Sequence, residues 1–183
     1  MALLSFSCSS QSQRQSADTS SQRPSPRVLV AYFSCTGTTQ KVAEAIAQAT
    51  DGTLYRITPE QPYTASDLDW HNAQSRSSVE MKDEHSRPAI GGEALDMADY
   101  DVIFVGYPIW WDLCPRPVNT FIEKYEFAGK KVIPFATSGG SSITHSVQEL
   151  KSLYPRVEWG EGCLLNDDRK EAAAWSRRVL GLR

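Results

Sequence analysis

The sequence lacks several features that would assign it to a common class of protein. Its 183 residues contain no apolar run long enough to span a membrane and no basic run or basic-aromatic patch that would favour nucleic acid. The four cysteines are far apart and include no C-x-x-C pair, so neither a zinc site nor a disulfide scaffold is indicated. The net charge is only −3, and the length suits one domain with a sizeable core.

Residues 1–26 differ in composition from the rest of the chain. Gln, Ser, Arg, Pro and Thr dominate after Cys8, and such a segment cannot bury enough apolar surface to order itself, so we predict a disordered leader. The first eight residues, M-A-L-L-S-F-S-C, look like the end of an apolar signal that runs into a lipid-accepting cysteine, but no basic region precedes them. Two interpretations stay open. Either the start codon lies inside a longer signal, which would make the protein a membrane-anchored periplasmic lipoprotein through Cys8, or the tail has no role and the protein is cytoplasmic.

The domain predicted over residues 27–183 begins with a stretch that changes character in its middle. Val28 to Phe33 is apolar and β-prone, and from Thr39 onward the apolar residues recur at helical spacing. The turn between them consists of Ser34, Cys35, Thr36, Gly37, Thr38 and Thr39. Because the first amides of a helix have no partner within it, this turn can hold a phosphate without a lysine. An ordinary βα turn rich in Ser and Thr is the alternative.

Two further observations concern this turn. Neither G-x-x-x-x-G-K-(S/T) nor G-x-G-x-x-G occurs there, which sets aside two common nucleotide-binding loops. Cys35 is either a thiol whose pKa is lowered by the helix N-terminus or a small residue that fills the turn.

The rest of the chain alternates between strands and helices. Strands are predicted over 53–58, 102–107, 132–137 and, interrupted by glycines, 157–165, and helices over 118–125, 143–154 and 168 to about 180. Three wholly apolar strands indicate an α/β fold with a parallel sheet covered on both faces. The polar connection over 60–99, weakly helical over 67–85, is longer than an ordinary βα connection, and such connections are often functional.

Ligands of such sheets bind beyond the carboxyl ends of the strands. The unusual residues of this chain lie at three such ends. Besides Ser34–Thr39, they are Tyr107, Pro108, Ile109, Trp110, Trp111 and Asp112, and then Thr137, Ser138, Gly139, Gly140 and Ser141.

These three loops together resemble those of the flavodoxins, and the likeness covers almost all of residues 27–183. S-C-T-G-T-T is similar to the flavodoxin pattern (S/T)-x-T-G-x-T, which holds the phosphate of flavin mononucleotide (FMN). G-Y-P-I-W-W is similar to the second flavin loop, which presents an aromatic side chain to the isoalloxazine, and A-T-S-G-G-S-S to the third. The resemblance implies a three-layer, doubly wound fold whose five-stranded parallel sheet has the order 2-1-3-4-5. It also implies bound FMN, with all three loops as cofactor-binding residues and no metal.

The residues agree with this resemblance and also depart from it. An indole from Trp110 or Trp111 can stack on the isoalloxazine and lower its reduction potential, the alternative being that both pack in the core. The third loop has no aromatic residue, so we expect one ring face to be open. No glycine lies between Pro108 and Cys114, where Asp112 is the residue most tolerant of positive φ. The chain is also less acidic than carrier flavodoxins usually are, which weakens electrostatic guidance toward basic partners.

Two functions follow from the resemblance. The favoured one is an electron carrier that docks a redox protein partner, because the loops match flavodoxin and no nicotinamide site is recognisable. The alternative is an NAD(P)H-dependent FMN reductase of quinones or similar small acceptors. In that case the 60–99 segment walls the acceptor pocket with Tyr63, Trp70, His71 or Arg76, unless these are exposed loop residues. His145 is then a candidate proton donor, or else a helix-surface histidine. A flavin-binding sensor or docking module has no positive feature in its support, and nothing predicts the oligomeric state.

Overall fold

The computed structural model describes residues 25–166 and 168–182. The predicted leader, apart from Ser25 and Pro26, lies outside the described residues, and so does Cys8. In chain order the elements are β1 (Val28–Tyr32), α1 (Thr38–Thr50), β2 (Thr53–Arg56), β3 (Thr58–Pro59), α2 (Arg76–Lys82), β4 (Ile90–Gly91), a 3-10 turn (Met97–Asp99), β5 (Val102–Pro108), α3 (Arg116–Lys124), β6 (Lys131–Thr137), α4 (Thr144–Leu153), β7 (Glu158–Trp159), β8 (Cys163–Leu164) and α5 (Arg169–Leu180). No helix in this part of the chain is both long and apolar enough to cross a bilayer.

The main sheet is parallel and has the order β2-β1-β5-β6-β7, with β8 also paired to β6. The strand predicted over 157–165 is therefore two fragments. β7 pairs with the start of β6 at Lys131, and β8 pairs with its end at Phe135. Counting β7 and β8 as one position, the order is the predicted 2-1-3-4-5. The two-residue strands β3 and β4 form a separate antiparallel pair.

Apolar alternation along the strands builds a core on each face of the sheet. In β1, Val28, Val30 and Tyr32 belong to one cluster, whereas Leu29 and Ala31 belong to the other. The first cluster includes Ile46 of α1 and Trp175 of α5, and the second includes Phe121 of α3 and Leu150 of α4. Helices thus cover both faces, which gives the predicted three layers.

Gly106, inside the apolar strand β5, makes room for an aromatic ring on the next strand. It is in register with Phe135 of β6, and a Cβ on Gly106 would lie 2.0 Å from Cζ of that ring. Glycine is required here by close packing rather than by a turn.

The 60–99 segment packs against α3. Its only α-helix is the short α2, so the weak helical signal over 67–85 extends too far. The buried Arg116 guanidinium donates to the carbonyl oxygens of Glu80 (3.4 Å) and Met81 (3.1 Å), which are at the end of α2. The Thr120 hydroxyl donates to the carbonyl of Pro88 at 2.9 Å. These bonds hold the segment beside the carboxyl edge of the sheet.

Candidate functional site

A cavity of about 910 Å³ opens at the carboxyl ends of the parallel strands. All three predicted loops line it, with Ser34, Cys35, Thr36, Thr38, Thr39, Pro108, Ile109, Trp110, Trp111, Thr137, Ser138, Gly139, Gly140 and Ser141. Three predicted residues do not line it: Gly37, Tyr107 and Asp112. Four more lining residues come from elsewhere: Leu68, Trp70 and Ser77 of the 60–99 segment, and Asn166 after β8. None of the side chains that line the cavity, from the loops or from elsewhere, carries a charge.

The first loop leaves the N-terminus of α1 open to the cavity. Gly37 caps the helix with φ +90°, no side chain caps it, and its first turn contains no acidic residue. The Ser34 hydroxyl accepts the Gly37 N–H at 3.1 Å, and the Arg56 guanidinium donates to the Ser34 carbonyl at 3.2 Å. The first amides of α1 therefore remain available beside the hydroxyls of Thr36 and Thr38, a donor set that fits a phosphate.

A buried hydroxyl pair joins the first loop to the third beneath the cavity. The Oγ1 atoms of Thr39 and Thr137 are 2.8 Å apart, and the two residues are 1 % and 4 % exposed. The pair fixes the start of α1 relative to the end of β6, so the two loops have a defined separation.

The third loop is shaped by hydrogen bonds from its own backbone. The Ser138 hydroxyl accepts the N–H groups of Gly140 (3.1 Å) and Ser141 (2.8 Å). The Ser138 N–H in turn donates to Oδ1 of Asn166 at 2.8 Å. Asn166 was missed from the sequence because it is 28 residues away. The only available signal was its place after the last strand of a parallel sheet, whose carboxyl ends meet at one edge.

The second loop is a tight turn with two consecutive positive φ angles. Trp110 and Leu113 exchange backbone hydrogen bonds at 3.0 and 2.9 Å, around Trp111 (φ +47°) and Asp112 (φ +63°). This is the geometry of a type I′ turn, which normally carries Asn-Gly or Asp-Gly. Asp112, a residue type that tolerates positive φ better than most, takes the second of these angles, and its side chain lies outside the cavity. The turn presents Trp111, 46 % exposed, to the cavity.

Trp110 is held by a cluster behind the cavity. Its indole makes edge-to-face contacts with Phe33 and Tyr63, with ring centroids 5.5 Å apart in both cases. The Tyr63 hydroxyl donates to Glu80, and Arg76 lies over the Tyr63 ring at 4.1 Å while its Nε donates to Glu80 at 2.6 Å. Tyr63 and Arg76 do not reach into the cavity, so they brace Trp110 from behind.

Of the aromatic and basic residues predicted to reach in from the 60–99 segment, Trp70 alone lines the cavity. It is 66 % exposed, and His71, outside the cavity, packs against its indole with ring centroids 3.5 Å apart. His145 is an exposed residue of α4 that does not line the cavity, in agreement with the helix-surface alternative.

The structure also shows the environments of the Tyr107 side chain and of the Cys35 thiol. Strand β5 continues to Pro108, and its alternation turns the Tyr107 side chain into the core, where its hydroxyl lies 3.0 Å from that of Ser146.

Burial raises the pKa of the Cys35 thiol to about 11, because its effect is larger than the opposite effect of the nearby guanidinium groups of Arg56 and Arg76. Of the two alternatives for Cys35, the raised pKa excludes the activated thiol, so Cys35 lines the cavity as a small, neutral residue of the turn. In the described residues, no cluster of three or more His, Cys, Asp or Glu could hold a metal ion.

Comparison with known proteins decides the family. The sequence model of the flavodoxins matches residues 27–179. The chain belongs to the flavodoxin family. Crystal structures of candidate flavoproteins from Bacteroides eggerthii DSM 20697 and Bacteroides uniformis ATCC 8492 resemble this flavodoxin at 54 % and 55 % identity, each with a TM-score of 0.80. They cover 86 % and 82 % of it, and the match spans 99 % and 97 % of their own chains.

A more distant structure shares the flavodoxin fold. The flavoprotein of Lactobacillus acidophilus NCFM, in complex with FMN, is 22 % identical, with a TM-score of 0.66 over 82 % of this chain and 99 % of its own. A search of curated proteins gave no match.

Proposed function

We propose that this flavodoxin binds FMN in the cavity and acts in electron transfer. The observation that carries the proposal is the pairing, in one cavity, of an open helix N-terminus with exposed indole surface at the strand ends. The helix amides and hydroxyls suit a phosphate, and the indole suits a flat ring. The FMN complex of the Lactobacillus flavoprotein, which has the same fold, supports this assignment.

Each loop has a role in holding FMN. The amides at the start of α1, with Thr36 and Thr38, would hold the phosphate, and Trp111 would contact the isoalloxazine. The backbone groups of the third loop that have no partner within the described part of the protein would meet its polar edge, since the N–H groups of Ser138, Gly140 and Ser141 are already bonded. When bound, FMN supplies reversible one- and two-electron chemistry, while these residues orient it and exclude water from one side.

In the first candidate function the protein is a carrier that exchanges electrons with a redox protein. The loop set that matches the flavodoxins supports this function. Because no charged side chain lines the cavity, docking would depend on apolar contact, with the exposed Trp111 among the contacting residues.

A specific observation favours a second candidate, a reductase of small acceptors. The 60–99 segment adds Leu68, Trp70 and Ser77 to the lining of the cavity. These residues form an additional wall, which suits the binding of a small acceptor molecule as well as the docking of a protein. In that reaction NAD(P)H and one solvent proton convert a quinone-type acceptor to its two-electron-reduced, doubly protonated form.

The test is the visible spectrum of the FMN-loaded protein under anaerobic conditions. Reduction by dithionite or a partner reductase, with no response to NADH or NADPH, is expected of the carrier. Fast bleaching by NADH or NADPH is expected of the reductase. A protein that does not retain FMN through gel filtration would contradict both.

A further inference from the structure

The described chain has two exposed tryptophans, and both line the cavity. Trp70 is 66 % exposed and Trp111 is 46 % exposed. An exposed indole is a large apolar surface in water, and small-molecule pockets are lined mainly by apolar and aromatic side chains. Trp111 belongs to a loop of the family pattern, whereas Trp70 comes from the 60–99 segment and has no role in that pattern.

The backbone around Trp70 is ordered by its own hydrogen bonds. The Thr64 N–H and hydroxyl both donate to the Asp67 carboxylate, at 2.8 and 2.7 Å, and the His71 N–H donates to Asp69 at 3.1 Å. The Ser77 N–H donates to the Asp67 carbonyl at 3.0 Å, which ties these turns to α2. An indole presented by a preformed segment loses little conformational entropy when a ligand stacks on it.

The cavity has room and surface for a second planar molecule beside a cofactor. Its volume of about 910 Å³ is near the upper end of the roughly 300–1,000 Å³ found for single-ligand pockets. The third-loop residues Ser138–Ser141 have no side chain large enough to cover a ring. The cavity is therefore open on the side of the third loop.

We propose that Trp70 is the stacking surface for the electron acceptor, and that the acceptor is an uncharged, planar, electron-poor aromatic molecule. The class follows from the lining. The helix N-terminus that can hold an anion is assigned to the FMN phosphate, and no charged side chain lines the rest of the cavity to pair with an ionised acceptor. An electron-rich indole stacks well on an electron-poor ring. This inference rests on the proposed binding of FMN in the same cavity, and it makes Trp70 a specificity-determining residue.

The test measures binding to the oxidised, FMN-loaded protein, without reductant and without turnover. The probe is 2-methyl-1,4-naphthoquinone, titrated by calorimetry, with the anionic 1,4-naphthoquinone-2-sulfonate as its charged counterpart. Trp70→Ala should weaken binding of the neutral quinone about tenfold, the typical effect of losing one aromatic stacking surface. Trp70→Phe should restore most of it. The neutral quinone should bind more tightly than the sulfonate.

Val79→Ala is the matched control, because Val79 is 50 % exposed in the same segment and does not line the cavity. Val79→Ala should leave the affinities for the neutral quinone and for the sulfonate unchanged. Trp70→Ala should leave the affinity for FMN unchanged. Unchanged quinone binding in Trp70→Ala, or tighter binding of the sulfonate, would overturn the inference while FMN binding stands. A loss of FMN affinity in Trp70→Ala would place Trp70 on the cofactor and would also overturn it. Failure of the unmodified protein to bind FMN would remove the proposed function itself.

Discussion

The hydroxyl pair beneath the cavity predicts that two substitutions together cost less than their sum. Thr39→Val or Thr137→Val keeps the side-chain shape but leaves the other hydroxyl buried without its partner, since both residues are almost fully buried and their oxygens are 2.8 Å apart. A buried hydroxyl that loses its hydrogen bond costs about 1–3 kcal/mol. The double substitution removes both hydroxyls and leaves an apolar contact of the same shape, which is close to neutral. We therefore expect the double variant to be at least as stable as either single variant.

Urea unfolding of the FMN-free protein, followed by circular dichroism, measures the free energy of unfolding of the two single variants and of the double variant. Because each single substitution costs about 1–3 kcal/mol and the double substitution is close to neutral, the coupling free energy of the double-mutant cycle should have a magnitude of about 2–6 kcal/mol. Thr50→Val is the control, because Thr50 is buried in the same helix but donates its own hydroxyl hydrogen to the Ile46 carbonyl at 2.8 Å. Combined with Thr137→Val it should be additive. If the Thr39–Thr137 pair is additive as well, the two hydroxyls do not share a bond and the proposed connection of the loops is wrong.

Three further predictions concern the loops and the cluster that braces them. Asp112→Gly should stabilise the FMN-free protein by roughly 0.5–1 kcal/mol in thermal unfolding, because glycine removes the cost of positive φ at the second central position of the turn; destabilisation of that size would contradict the turn geometry. Alkylation of Cys35 by iodoacetamide, followed by peptide mass spectrometry, should be slow at neutral pH and still be accelerating at pH 10, because its pKa is about 11; a rate that levels off by pH 9 would show an ordinary thiol. Tyr63→Phe should cost about 1.5–3 kcal/mol in urea unfolding, because it removes a hydrogen bond to the Glu80 carboxylate; an unchanged midpoint would mean that packing alone positions Tyr63.

Much of the fold could be predicted because its strands are continuous apolar runs. β1, β5 and β6 are buried on both faces, so their sequences differ sharply from the polar turns that follow. The three loops could be located for the same reason, since each begins where an apolar run ends.

What the sequence did not predict depends on contacts between distant residues. Leu68 and Ser77 reach the cavity because Arg116 holds the end of α2, and no local pattern encodes that contact. Asn166 reaches it because β8 pairs with β6. The sequence left two alternatives open for Cys35, and burial, which is a tertiary property, decides between them, because it raises the thiol pKa against the nearby Arg56 and Arg76.

The brace behind Trp110 illustrates the same limit. Arg76, Glu80 and Tyr63 lie in a polar stretch that looks like an exposed loop, yet they form a half-buried cluster of hydrogen bonds and ring contacts. Sequence spacing suggests the Arg76–Glu80 pair, four residues apart on a helix. It gives no sign that Tyr63 joins the pair or that the cluster packs against the second loop.

The most direct test of the account compares the affinity of the cofactor-free protein for FMN and for riboflavin, measured by quenching of flavin fluorescence. The two ligands differ only in the phosphate that we place at the start of α1. Two hydrogen bonds to a charged group, at about 1.5 kcal/mol each, predict that FMN binds roughly 100-fold more tightly. Equal affinity for the two ligands would contradict the assignment of the Ser34–Thr39 loop as a phosphate site, and with it the proposed place of FMN in the cavity.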